Sequence, residues 1–216
     1  MRQEMTSLPR IVLDVNIALW GSHPSGNPAT DATYKPEEVC LTCTQAMKLL
    51  RDLRYRLALS IELNEEWNSV LHKRSVVSGV PSSPREISQL EYACEQYART
   101  WFTNMTSTGR IDVFDANQSH TRLPLGALSE AQVKDIHLVE SALGSDRRIV
   151  SHDKSVREEW VQLLKQPDGK CLVRSFPKLP RIVWVDPELH EELCYWLEND
   201  APDEPSYRLD TGACKP

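Results

Sequence analysis

The sequence predicts an α/β layer fold built on a mostly parallel sheet. Two observations carry this. Short apolar runs alternate with longer amphipathic stretches along the whole chain, the pattern of strands connected by helices. The 216 residues, 40% hydrophobic and 26% charged, have an ordinary globular composition and suffice for one sizeable core. No repeat occurs, and no linker divides the chain in two.

Four short strands are expected at Ile11-Val12-Leu13, Leu57-Ala58-Leu59, Ile111 to Phe114 and Ile149-Val150. Two more candidates follow, Leu172-Val173 and Ile182 to Val185. Between them lie helical patterns. Glu37 to Leu53 carries Val39, Cys43, Ala46, Leu50 and Leu53 at steps of three and four, and Pro36 marks its start. Glu62 to Lys73 follows the second strand. Pro84 to Asn104 reads as a long amphipathic helix with Ile87, Leu90, Tyr97 and Trp101 on its apolar side. Ser129 to Leu143 opens with a capping-box pair, Ser129 and Gln132, and stops at Gly144. Lys154 to Leu164 and Pro187 to Leu197 complete the helices. Three segments rich in turn residues read as loops, Gly21 to Thr33, His72 to Ser83 and Ala116 to Leu128. The polar, Pro-rich chain from Asn199 onward reads as an irregular extension. These expectations give one domain over residues 1–186 and a C-terminal helix and tail over 187–216.

The net charge of −6 argues against a basic coat for non-specific nucleic-acid binding. It does not argue against a nucleic-acid enzyme, because catalytic carboxylates bind cations that cancel their charge locally. No run of about 18 apolar residues exists to span a membrane. No secretory leader is expected, and six irregularly spaced cysteines then suit reduced thiols in the cytoplasm. Cys40-Leu41-Thr42-Cys43 lacks a second pair at zinc spacing, since Cys94, Cys171, Cys194 and Cys214 are scattered. No Gly-x-Ser-x-Gly elbow, GxGxxG turn or Walker A loop occurs.

The informative acids are those placed where an acid is costly. Asp14 ends the first apolar strand, and Asp153 follows the fourth. Ligands of parallel sheets bind outside the carboxyl ends of strands, so both acids suit one crevice. Each is also well placed to be a helix N-cap. Asp135 falls between Val139 and Ala142 on the helical wheel, beside Ile136 and Leu143. A carboxylate there needs an arginine, backbone donors or a metal ion. Glu140 lies between Val133 and Ile136, where a structural salt bridge is the simpler reading. On the helix after the second strand, Leu63, Trp67, Val70 and Leu71 form the apolar stripe. Glu66 lies closest to it, Glu62 next and Glu65 on the far side, so Glu66 is expected to point inward. Asp14, Glu66, Asp135 and Asp153 would make an oxygen-only donor set, suited to Mg²⁺ or Mn²⁺. Such sites activate water and stabilise the leaving oxygen in phosphodiester hydrolysis.

Four blocks resemble the PIN-domain nuclease family. They are Val12-Leu13-Asp14-Val15-Asn16-Ile17; Leu59-Ser60 with Glu65 to Leu71; Asp135 to Ala142; and Arg148-Ile149-Val150-Ser151-His152-Asp153. The last two are the most specific, with two acids 18 residues apart and a hydrophobic strand between. The resemblance spans about residues 10–185. It implies a three-layer α/β/α sandwich with a mostly parallel central sheet. It implies an endoribonuclease using one or two Mg²⁺ or Mn²⁺ ions, with Asp14, Glu66, Asp135 and Asp153 as catalytic and metal-binding acids. Asn16 and Ser151 would be supporting polar residues. Many family members are toxins of toxin–antitoxin pairs, so RNA, an antitoxin protein and a second copy of the chain are the expected partners, with no membrane. Lys73, Arg74, Arg147, Arg148 and Lys154 are further candidates for RNA phosphate contacts, against a solubilising role. His137 and His152 do not occupy usual family positions. The chain also exceeds a minimal toxin in the 21–33 loop, the 84–104 region and the C-terminal part. Alternatives are a PIN-fold binding module without catalysis, a DNA- or structure-specific nuclease, and a phosphohydrolase of small molecules.

Overall fold

The structure, a computed structural model, describes residues 8–21, 37–72, 89–188 and 190–210. Strands β1 (Val12–Leu13), β2 (Leu57–Ser60), β3 (Ile111–Phe114), β4 (Arg148–Val150) and β5 (Val183–Val185) all run parallel to their sheet neighbours. Val12 and Leu13 sit opposite Ile149 and Val150, and Ile149 sits opposite Trp184. The β1-β4-β5 group joins the β2-β3 pair through a parallel bridge between Ile11 and Leu57. Two backbone bonds hold that bridge, Ile11 N–H to Arg56 O at 2.9 Å and Ala58 N–H to Ile11 O at 3.0 Å. The combined order is β3-β2-β1-β4-β5, and its direction of winding reverses between β1 and β4.

Helices connect the strands: α1 (Val15–Gly21), α2 (Glu37–Asp52), α3 (Ile61–His72), α4 (Gln89–Ser107), α5 (Glu130–Lys134), α6 (Ile136–Leu143), α7 (Lys154–Lys165), α8 (Pro167–Ser175) and α9 (His190–Glu198). Every residue of β1, β2, β4 and β5 is buried, so helices must cover both faces of the sheet, as right-handed crossovers dictate. Helices α1, α2 and α9 pack together; α6 lies across β1, β2 and β4; α7 packs on α5 and α8. Trp67, Trp160, Trp184 and Trp196 are all fully buried, and each aromatic burial contributes about 1.5–3 kcal/mol. No helix among the described residues is long and apolar enough to cross a membrane.

The α/β class and mostly parallel sheet are as the sequence predicts, and four details differ. A helix, α1, begins directly after β1, where Asp14 accepts the Asn16 N–H and so caps its first turn. Leu172-Val173 is helical: Pro167 starts α8, and a two-residue apolar pair suits helix and strand equally. The stretch Ser129–Leu143 is two helices, broken at Asp135 with φ −107° and ψ 15°. The apolar periodicity runs through the break, which hides it from the sequence. The segment after Asn199 is not an irregular extension as far as residue 210. It turns at Pro205–Tyr207, Arg208 forms an antiparallel bridge to Val183, and Leu209 is fully buried. The 22–33 and 73–83 portions of two expected loops, and residues 84–88, lie outside the described residues.

Candidate active site

Open parallel sheets form a crevice where the strand order reverses, because the crossover helices part to opposite faces there. In this chain the reversal falls between β1 and β4, whose carboxyl ends carry Asp14 and Asp153. Asp14 is buried. Its Oδ1 accepts the Asn16 N–H at 2.9 Å, and its Oδ2 accepts the Ser151 hydroxyl at 2.9 Å. Ser151 Oγ also accepts the Asp153 N–H at 3.1 Å. The two supporting polar residues of the sequence reading thus differ in role. Ser151 joins both acids through its side chain, whereas Asn16 acts on Asp14 alone, mainly through its backbone N–H.

Asp153 is the N-cap of α7. Its Oδ1 accepts the Val156 N–H at 3.0 Å and the Ser155 hydroxyl at 2.7 Å. Asp14 and Asp153 therefore each cap a helix, and they stand at the carboxyl ends of two adjacent strands. Asp135 does not share this behaviour. It occupies the N-cap position of α6, yet its carboxylate makes no capping bond. It is half-buried beside the other acids. Burial first, then the negative charges of Asp153, Asp14 and Glu66, push its pKa up to about 6, against a weaker pull from Lys134. Burial also raises the Asp14 pKa, opposed by its bonds to Asn16 and Ser151 and assisted by the Asp153 charge.

Glu66 is exposed rather than inward-pointing. Trp67 sets that rotation of α3, burying its ring and donating Nε1–H to Leu13 O at 3.0 Å. Glu66 is left exposed, near enough for its charge to act on Asp135. Glu62 turns instead to Arg122, 2.7 Å from its Nη1. Arg122 Nη1 also lies 3.1 Å from Glu140 Oε2, and the fully buried Glu140 accepts the Leu123 N–H at 2.8 Å. The salt-bridge reading of Glu140 is therefore the right one. His137 Nδ1 lies 3.6 Å from the same carboxylate.

Of the basic candidates, Lys154 opens α7 beside Asp153 and is exposed. Arg147 and Arg148 are not brought to the acids. They stand at the start of β4, at the opposite end of the strand from Asp153, and Arg148 is buried with its Nε–H on Ala201 O at 2.7 Å. Their proximity to Asp153 in sequence misled, because a strand separates its two ends. Lys73 and Arg74 lie outside the described residues. Two cations went unnoticed in the sequence, Lys134 next to Asp135 and Arg122 between two glutamates. Only Lys134 had a signal, its adjacency to Asp135. His152 is held between Asp186 Oδ1 at 2.9 Å and Glu188 Oε1 at 3.3 Å, with its ring edge-on to Trp20 at 5.0 Å. It fixes the turn between Ser151 and Asp153 against the end of β5.

Among the described residues, no three His, Cys, Asp or Glu side chains converge at metal-ligand spacing. The chemistry of the donor set nevertheless fits a hard divalent cation. All four groups are carboxylates, and a bound cation would offset both the burial and the neighbouring charges that raise the Asp135 pKa. Compared with known proteins, the chain matches no family model, no curated protein and no solved structure.

Proposed function

We propose that the protein is a divalent-metal-dependent endoribonuclease of the PIN type. The observation that carries this reading is Asp135. A half-buried carboxylate stands at a helix start without capping it, while Asp153, Asp14 and Glu66 all raise its pKa. A fold gains nothing in stability from such an arrangement, because burial disfavours the Asp135 charge and its acidic neighbours repel it. Perturbed acids in a crevice at the carboxyl ends of strands mark functional sites.

Asp14, Asp135 and Asp153 would hold one or two Mg²⁺ or Mn²⁺ ions, with Glu66 binding metal or orienting the attacking water. The bound cation supplies an activated water and charge neutralisation at the leaving oxygen. Ser151 holds the Asp14 carboxylate and the Asp153 backbone, while Ser155 and Val156 hold the Asp153 carboxylate, so both acids are set in place before RNA arrives. Lys134 and Lys154 flank the acids as cations for the phosphate strand. By the family resemblance, the products would carry a 5′-phosphate and a 3′-hydroxyl. The setting we propose on that same ground is the cytoplasm, with an antitoxin protein as partner.

The test incubates the purified protein with labelled single-stranded RNA and matched DNA in Mn²⁺ or Mg²⁺. Asp135→Asn and EDTA lanes run beside it. Cleavage of RNA that vanishes in both controls supports the reading. Equal cleavage of DNA would make it a nuclease without sugar preference. Wild type and Asp135→Asn behaving alike on every substrate would leave a binding module of the same fold as the better account.

A further inference from the structure

Arg147 and Arg148 take no part in the acid site and stand at the amino end of β4. With Leu8-Pro9, Asp146 and the turn Asp200–Pro202 they line a cavity of about 430 Å³ at the amino end of β4. Their neighbours Arg10 and Arg208 are matched by carboxylates, Asp146 at 3.1 Å and Asp203 at 2.8 Å. Among the described residues, no carboxylate lies within 4.0 Å of Arg147 or Arg148. Arg148 is buried and gives its Nε–H and Nη1–H to backbone carbonyls, of Ala201 at 2.7 Å and Asp146 at 2.9 Å. Arg147 Nε is buried with no hydrogen-bond partner at all. Arg148 is thus a buried guanidinium with no carboxylate in contact, and the half-buried Arg147 beside it keeps a buried Nε–H unpaired.

We propose that this cavity is an oxyanion site that takes a phosphate group, free or carried by a mononucleotide. Guanidinium groups present forked N–H donors that match phosphate oxygens, and two side by side supply both the charge and the donors. Asp146 does not block this role, because its carboxylate is engaged by the backbone and side chain of Arg10. Asp200 lines the cavity but is exposed, where solvent screens its repulsion of an anion. The volume suits a nucleotide-sized guest. The backbone is also committed to this shape. Arg147, Asp200 and Ala201 adopt left-handed φ values of 63°, 65° and 44°, a conformation that side-chain-bearing residues hold only where the surroundings enforce it. Burial draws the Arg148 pKa below that of a free guanidinium, and the more distant Asp203 and Asp146 only partly offset it. A bound oxyanion would complete that compensation.

The inference is independent of the nuclease reading. Its test titrates the full chain, in EDTA, with inorganic phosphate and with adenosine 5′-monophosphate by calorimetry. EDTA keeps metal-mediated binding at the acid crevice out of the measurement. The variants are Arg147→Gln, which removes the fork and charge, Arg147→Lys, which keeps the charge, and Asp14→Asn in the crevice. Thermal unfolding checks that each is folded. The expected result is saturable binding that falls about ten-fold or more in Arg147→Gln, less in Arg147→Lys, and persists in Asp14→Asn. Tighter binding of the nucleotide than of phosphate would assign a nucleotide, and equal affinity a phosphate group alone. No saturable binding up to about 10 mM, binding unchanged in Arg147→Gln, or binding lost in Asp14→Asn would overturn the proposal.

Discussion

Ser151 donates its hydroxyl to Asp14 Oδ2 across the point where the sheet reverses its winding, at 2.9 Å. Ser151 Oγ also accepts the Asp153 N–H, so one hydroxyl ties the ends of β1 and β4. Ser151→Ala leaves a buried carboxylate oxygen of Asp14 without its donor. It is expected to cost about 1–3 kcal/mol of stability. Thermal and urea unfolding would measure this, and a loss below a few tenths of a kcal/mol would mean the bond is not made in solution.

Asp135→Asn separates function from stability by moving them in opposite directions. On the proposed function, removing one metal-binding carboxylate abolishes RNA cleavage. In metal-free protein it also removes a charge repelled by Asp153, Asp14 and Glu66, so the variant should melt higher than wild type. A rise of about 1 kcal/mol corresponds to roughly 2–4 °C for a chain of this size. A lower melting point in EDTA would show that Asp135 is structural rather than strained.

The pH dependence follows from the same group. Asp135 has a folded pKa of about 6, above its ordinary value of 3.8. Below the ordinary value both states carry the proton, and the acid costs the fold nothing. As pH rises through the window up to about 6 the unfolded chain ionises first, so metal-free stability falls. A cation must displace the remaining proton. Mn²⁺ affinity should therefore weaken below about pH 6, with proton release detectable by calorimetry in two buffers of different ionisation enthalpy. An affinity flat from pH 5 to 7 would remove Asp135 from the metal site.

Glu62 and Glu66 lie one turn apart on α3 but should respond differently. Glu66→Gln alters the group that acts on Asp135, and is expected to lower kcat by about 10²-fold if it orients the water. Glu62→Gln weakens a partly exposed pair with Arg122, and should change stability by about 1 kcal/mol or less with cleavage nearly intact. The reverse pattern in cleavage assays would exchange their assignments.

How far the sequence alone could reach is clear from particular residues. β1, β2, β3 and β4 were readable because their apolar runs are short and bounded by helical periodicity. Asp14 and Asp153 were readable because strand ends in parallel sheets have a defined direction. The break at Asp135 was not, since the apolar spacing continues across it although the backbone leaves the helix. Nor was the outward turn of Glu66, which depends on the Trp67 indole finding a carbonyl on β1. Arg147 and Arg148 show the opposite hazard. A strand of three residues is enough to carry neighbours in sequence to opposite edges of the sheet layer, about 10 Å apart.

The return of residues 208–210 to β5 bears on how the sheet edges meet a foreign strand. Arg208 bridges to Val183, and the Leu209 and Asp210 N–H groups bond Ile182 O and Pro180 O. That margin of the sheet is thus closed by the chain itself. The other margin, β3, pairs only with β2 among the described residues and carries Asp112 in an ion pair with Arg56. One border is sealed and the other is charged, two distinct ways of refusing a foreign strand. A chain truncated after Ala201 would lose the seal, and its sheet would become a template for aggregation.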